Sequence, residues 1–198
     1  MSQKLSPEAL AERRIRILDA ARWCFLNFGY ARTTLEDIAR RAVISRTLLY
    51  RNFKDKEDIF IQVFDAWVSA RVQPAMRAGA EPGSQRERLW RVCQRLVLDC
   101  WSEMAQAPMA NEFHDVYERL RPKVAWNHRE GVLACIVQVL EAPDVAQVFL
   151  LALEGLFADR PQLDEITQRI RILVDRFTPE NGGGSTCPSA SDASDKAG

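Results

Sequence analysis

The sequence predicts an all-α fold: a three-helix amino-terminal head on a larger carboxy-terminal helical bundle, about nine helices in all. Three observations predict it. Apolar residues recur at intervals of three and four, while strand-like alternation is nearly absent. Ser, Thr and Asp stand just ahead of the periodic runs, where their side chains can cap helices. Pro108, Pro122, Pro143 and Pro161 fall between runs, as suits a residue tolerated at a helix start and disruptive in its interior.

Each element follows in turn. Ser6 then Pro7 reads as a cap and first helical position. Ile15, Leu18, Phe25 and Phe28 form one stripe, ending at Gly29. A short second helix carries Leu35, Ile38, Ala39 and Ala42, and either Thr33-x-x-Glu36 or Thr34-x-x-Asp37 fits a capping box at its start. Ser45 caps a third helix ending near Phe53, with Ile44, Leu49 and Phe53 turned inward. Asp55 caps a fourth, about Lys56 to Arg77, with Ile59, Val63, Phe64 and Trp67 as its inner stripe. Gly79 to Ser84 is the clearest interior loop. Beyond it, helices are predicted at about 85–106, 111–120, 123–141, 144–158 and 162–177. The chain thus divides into a head at 1–55, a body at 56–177 and a tail at 178–198, whose Gly, Ser and Ala-rich composition predicts disorder.

Composition narrows the function classes. At 47% hydrophobic and 27% charged, the chain is of the soluble globular kind. Its 27 basic and 27 acidic residues balance overall but not locally. Up to Asp58 there are 12 Lys and Arg against 8 Asp and Glu; after it, 15 against 19. A basic head on an acidic body suits a polyanionic partner. Five cysteines (24, 93, 100, 135 and 187) include no C-x-x-C pair, so neither a disulfide framework nor a zinc ribbon is expected. Reduced thiols in the cytoplasm are the expectation. The first residues carry no apolar run after their basic ones, and no run of 18 apolar residues occurs, so neither a signal peptide nor a membrane span is predicted. The two histidines, His114 and His128, do not stand at ligand spacing, so no metal, cofactor or catalytic constellation is expected. An all-helical enzyme is an alternative that lacks its constellation.

The run TTLEDIARRAVISRTLLYRNFKDKEDIF, residues 33 to 60, resembles the DNA-binding signature of the TetR/AcrR family of bacterial transcription regulators. The matching residues are Phe28-Gly29-Tyr30, Thr33-Thr34, Ile38-Ala39, Ala42, Ser45, Leu49-Tyr50, Phe53 and Lys56-Glu57. About 50 residues match closely, and the rest match in kind, as a helical body of suitable length. The resemblance implies a helix-turn-helix whose second helix enters the major groove of double-stranded DNA. Ser45 offers a hydroxyl and nearby free backbone N–H groups to a phosphate. Arg46, in the first turn, reaches a guanine edge or a phosphate. Thr47 and Arg51 share the outward side. Tyr50 and Lys56 stand where the family grips phosphate, and Thr33 and Thr34 serve as caps, as DNA ligands or as both. Two residues depart from the pattern. Val43 replaces the usual turn glycine, so the turn is either reshaped or strained. Leu48 replaces Thr or Ser, and either packs against a thymine methyl group or turns inward.

For the body, the resemblance implies a mostly apolar pocket and a small apolar or amphipathic effector. Trp101, Met104, Phe113, His114, Tyr117 and Trp126 are the expected lining. Asp99, Glu103, Glu112 and Asp115 leave a cationic ligand open, or are solvated faces. The last two helices are too apolar to face water alone. In the family this pair forms a four-helix interface, here with Phe149, Leu153, Ile166, Ile170, Leu173 and Phe177. The whole would be a homodimeric repressor on a palindromic operator, released when an effector pivots the fourth helix. A thiol-based redox sensor on the same scaffold is the alternative. Cys93 and Cys100 share a helix face but stand roughly 10 Å apart along its axis, too far for a direct disulfide. A bond from either to Cys135 stays open.

Overall fold

The computed structural model describes residues 6–123 and 127–179, the side chain of Asn127 excepted. Every regular element among them is helical. The head consists of α1 (Pro7–Phe28), α2 (Leu35–Arg41) and α3 (Arg46–Asn52). The long α4 (Lys56–Ala80) leads into α5 (Gln85–Cys93), a π turn (Gln94–Leu98) and α6 (Asp99–Ala105). Then come α7 (Ala110–Leu120), a 3-10 turn (Arg121–Lys123), α8 (Asn127–Leu140), α9 (Pro143–Gly155) and α10 (Leu163–Phe177).

Local chemistry sets the starts. Ser6 Oγ accepts from the Ala9 amide at 3.2 Å with Pro7 at the first position. Asp55 Oδ1 accepts from the Asp58 amide at 2.8 Å. Ser84 and Glu87 form a reciprocal capping box at α5. Of the two boxes open at α2, the structure forms Thr34 with Asp37.

Several expectations are corrected. On α1, Ile15 and Phe28 are exposed, and Ile17, Leu18, Ala21, Cys24 and Phe25 make the buried stripe. That set follows the helical repeat more closely than the one first read. The fourth helix runs on through Gly79 to Ala80 despite Pro74 in its interior, which shortens the predicted loop. The predicted 85–106 helix is interrupted by the π turn, which offsets the faces of α5 and α6 from each other. Thr178, assigned to the tail, is buried, and its hydroxyl donates to the Val174 carbonyl at 2.7 Å. The tail from 180 onward, with Cys187, and the lining residue Trp126 lie outside the described residues.

Two apolar cores result. One joins α1, α2 and α3 to Ile59, Phe60, Val63 and Trp67 of α4 and to Phe113, Val116 and Leu120 of α7. The other packs Ala75 of α4 with α5, the π turn, α8, α9 and α10. Packing therefore does not stop at residue 55: the first half of α4 and one face of α7 complete the core of the head.

Candidate nucleic-acid interface and interior cavity

The chain between α2 and α3 turns tightly. The Ile44 amide donates to the Ala39 carbonyl at 3.0 Å and the Val43 amide to the Arg40 carbonyl at 3.2 Å. This is the paired bonding of a Schellman turn, which needs a left-handed residue after the helix. Val43 supplies it with φ 56 and is 90% exposed. The turn is not reshaped; the valine is strained into it.

From that turn α3 projects with Leu49 fully buried and Phe53 nearly so. Ser45 Oγ caps it by accepting from the Leu48 amide at 3.2 Å. Ser45, Arg46, Thr47, Tyr50 and Arg51 are exposed, Tyr50 by 55%. Leu48 is half-buried but does not pack against the head's core. Arg46 Nη1 lies 3.3 Å from Glu36 Oε2, both side chains solvent-exposed. Such a pair is weak and exchanges readily for another anion. The structure thus brings together a short outward face of two guanidinium groups, three hydroxyls and a leucine. Arg32, Arg40 and Lys54 are further exposed cations of the head that the sequence reading passed over.

Two candidates stand elsewhere. Thr33 is only 1% exposed, and its hydroxyl donates to the Gly29 carbonyl at 2.6 Å. It is a buried tie across the α1–α2 loop and has no access to DNA. Thr34 is exposed but engaged, its hydroxyl donating to Asp37 Oδ2 at 2.6 Å. Lys56 points into the same loop. Its ammonium donates to the carbonyls of Tyr30 at 2.8 Å and Thr33 at 3.1 Å, over the Tyr30 ring at 4.4 Å. Burial lowers its pKa, with Glu112 acting in the opposite sense. Its expected phosphate contact is corrected to an internal clamp.

A second clamp comes from the body. Glu112 of α7 accepts from the Ala31 amide at 2.7 Å, and the Met109 amide donates to the Leu26 carbonyl at 3.0 Å. Gly29, at φ 87, leaves no room for a Cβ beside the Glu112 carboxylate. Helix α7 therefore holds the head with one end.

With its other face α7 lines a cavity of ≈ 190 Å³ between α4, α6, α7, α8 and α9. Trp101, Met104, Phe113, His114 and Tyr117 line it as expected, joined by Phe64, Trp67, His128, Arg129 and Leu153, which the sequence reading did not assign to it. Their spacing signals only a helical core, and the π turn that brings Leu96 and Val97 inward leaves no sequence mark. The acidic residues that left a cationic ligand open are engaged outside the cavity. Glu103 pairs with Arg71 at 2.5 Å and Arg22 at 3.0 Å, Asp99 with Arg95 at 3.3 Å, and Asp115 with Arg160 at 2.5 Å.

The interface assignment also needs correction. Phe149, Leu153, Ile166 and Ile170 are buried in this chain's own second core, and Leu173 and Phe177 pack against it. The outward apolar residues of the pair are Val145, Val148 and Leu151 on α9 and Leu163 and Ile172 on α10. The redox alternative is not supported. Burial raises the thiols of Cys93 and Cys100 to about 12 and that of Cys135 to about 11, which suppresses the reactive thiolate. All three are free thiols. No helix among the described residues is long and apolar enough to cross a membrane.

Residues 17–63 match the family model described as bacterial regulatory proteins, tetR family. An HTH-type transcriptional repressor of Mycobacterium tuberculosis is 39% identical over 57 residues, 29% of this chain and 30% of that protein. The HTH-type transcriptional regulator TtgR of Pseudomonas putida is 33% identical over 97 residues, 46% of each chain. The matches thus span about half or less of the length of these curated relatives. Among solved structures, the fatty acid degradation regulator FadR of Bacillus halodurans superposes with a TM-score of 0.57 at 17% identity, over 87% of this chain and 96% of that one. A TetR-like transcriptional regulator of Rhodococcus superposes at 0.53 with 22% identity, over 87% and 97%. At these identities the structural likeness establishes the fold: the body, like the head, has the architecture of these regulators.

Proposed function

We propose that the chain, whose residues 17–63 match the tetR family of bacterial regulatory proteins, is a DNA-binding transcriptional regulator whose α3 reads the major groove. The relatives that it matches are transcriptional regulators, not enzymes. The observation that carries the reading is the outward face of α3. Its arginines, hydroxyls and tyrosine are exposed, and its opposite side is locked into the core by Leu49 and Phe53. Ser45, Thr47 and Tyr50 hold phosphates, while Arg46 and Arg51 reach base edges or the backbone. Leu48, half-exposed and outside the core, is free to meet a thymine methyl group. Thr34 remains close enough to the head's surface to accompany them.

The rest of the assembly follows by the same reasoning. The exposed apolar residues of α9 and α10 support a homodimer, and two heads related by a two-fold axis suit a palindromic operator. The cavity supports a small-molecule effector, and the chain acts as a repressor that the effector releases, in the cytoplasm. A route exists for that release. Phe25 and Tyr30 of the head contact Phe60 of α4 at 5.5 and 5.6 Å between ring centres. Phe60 in turn contacts Phe113 of α7 at 4.7 Å, and Phe113 lines the cavity. An effector that favours one setting of α4 and α7 shifts the heads by its differential affinity for the two settings.

Duplex DNA titrated at two salt concentrations tests the reading. If about 6–10 phosphates are neutralised, affinity falls roughly 10³–10⁵-fold between 50 and 200 mM salt. Arg46→Ala and Tyr50→Phe weaken binding at both. Absence of binding at the lower salt, or binding indifferent to both changes, contradicts it.

A further inference from the structure

The chemistry of its walls decides what the cavity accepts. At ≈ 190 Å³, it suits a compact occupant. Flat rings form much of the wall. Phe64 stacks on Tyr117 at 4.2 Å, Trp101 lies against Phe157 at 5.2 Å, and Trp67 meets Phe113 edge-on at 5.9 Å. Such surfaces favour another aromatic ring, offset or edge-on.

Charge around the cavity is already compensated. Glu118 faces Arg121 at 3.7 Å, Arg129 faces Glu154 at 3.6 Å, and His128 Nδ1 lies 3.0 Å from Asp65. At the better buried of the two guanidinium pairs, Arg129 with Glu154, an ionic ligand would have to displace one member and leave the other's charge poorly solvated. His114 is different. It lines the cavity at 8% exposure, Nδ1 is closed off without a hydrogen-bond partner, and no described residue bonds to Nε2. Its ring stands edge-on to those of Trp101 and Tyr117, at 6.0 and 6.4 Å between ring centres. Burial lowers its pKa, and the charge of Arg160 acts in the same sense. The imidazole is therefore neutral near pH 7, with one donor and one acceptor nitrogen. With Nδ1 closed off, Nε2 is the ring nitrogen left for an occupant of the cavity to bond.

We propose that the cavity takes a compact, uncharged aromatic molecule bearing one hydroxyl or carbonyl oxygen, and that His114 anchors that oxygen. The Nε2–H donates to it, while the ring of the ligand packs between the Phe64–Tyr117 and Trp101–Phe157 pairs. This deepens the effector reading above and rests on it.

Calorimetric titration of the full chain with 4-propylphenol, propylbenzene and 4-propylbenzoate tests the assignment. The phenol binds tightest, ahead of the hydrocarbon by about 2- to 12-fold, the worth of one net hydrogen bond. The benzoate binds weakest. His114→Phe lowers the phenol to the affinity of the hydrocarbon and leaves hydrocarbon binding in place. A second readout needs no variant: in the unaltered protein, the imidazole nitrogen resonances of His114 move to hydrogen-bonded values with the phenol and not with propylbenzene. Three results overturn the proposal: tightest binding by the benzoate, a phenol advantage that survives His114→Phe with unmoved resonances, or no binding by any of the three. None of them bears on the DNA reading, which fails separately if duplex DNA is not bound.

Discussion

Val43 carries the clearest conflict between a side chain and its place. A β-branched residue at φ 56 suffers the left-handed penalty of roughly 1–2 kcal/mol, and at 90% exposure it recovers little by burial. Val43→Gly removes that penalty at an added chain-entropy cost of about 0.5–1 kcal/mol. The variant is expected to be more stable by about 0.5–1 kcal/mol, raising the melting temperature by roughly 1–4 °C for a chain of this size. Calorimetric melting checks it, and a lower melting temperature would mean that the valine makes a contact its exposure does not suggest. The conflict was readable from the resemblance, because the family usually places glycine in the turn where this chain has Val43. Which way it resolved was not. Only the backbone bonds of Val43 and Ile44 show that the turn kept its shape and the side chain took the strain.

At the scale of elements, the α1–α2 loop is what joins head to body. Lys56 from α4 holds the carbonyls of Tyr30 and Thr33, and Glu112 from α7 holds the amide of Ala31. Removing the ammonium takes the donor from three carbonyls, those of Tyr30, Thr33 and, at 3.4 Å, Ala31. Lys56→Met is expected to lose about 1.5–3 kcal/mol, the usual worth of hydrogen bonds to a charged group. At about 2–4 °C per kcal/mol, the melting temperature falls by roughly 3–12 °C. If Lys56 served only as a phosphate ligand, stability would be unchanged and the slope of log affinity against log salt would fall by about 1. Helix starts were legible because capping is local: Ser6, Ser45 and Asp55 each act within three residues of themselves, as does Thr34, which the sequence left open against Thr33. The clamps were not. A lysine at the start of α4 reads as a cation near an unfavourable dipole, and its partners lie more than twenty residues away. The buried stripe of α1 was displaced for a related reason, since Ile15 and Phe28 are apolar yet extend beyond the area its neighbours cover.

For the whole molecule, the sequence showed that α9 and α10 carry more apolar surface than one side needs, but not which side faces out. The stretch of α9 is nearly continuous in apolar residues and lacks the polar face that marks an exterior, while on α10 the stripe of Ile166, Ile170, Leu173 and Phe177 was assigned to a partner rather than to the chain's own core. The structure spends Phe149, Leu153, Ile166 and Ile170 inside the chain and leaves Val145, Val148, Leu151, Leu163 and Ile172 exposed. That smaller set is the surface a second copy would cover, and in the proposed dimer it would set the spacing of the two heads. Selection of bound sequences from a random duplex pool, with the unaltered chain and with Leu151→Glu, tests the central claim most directly. The unaltered chain should enrich a near-palindrome with half-sites about one helical turn apart, roughly 34–36 Å, and Leu151→Glu should lose that symmetry while keeping weak preference for one half-site. No enrichment by the unaltered chain, or a single asymmetric site indifferent to Leu151, would contradict the account of a dimeric groove reader.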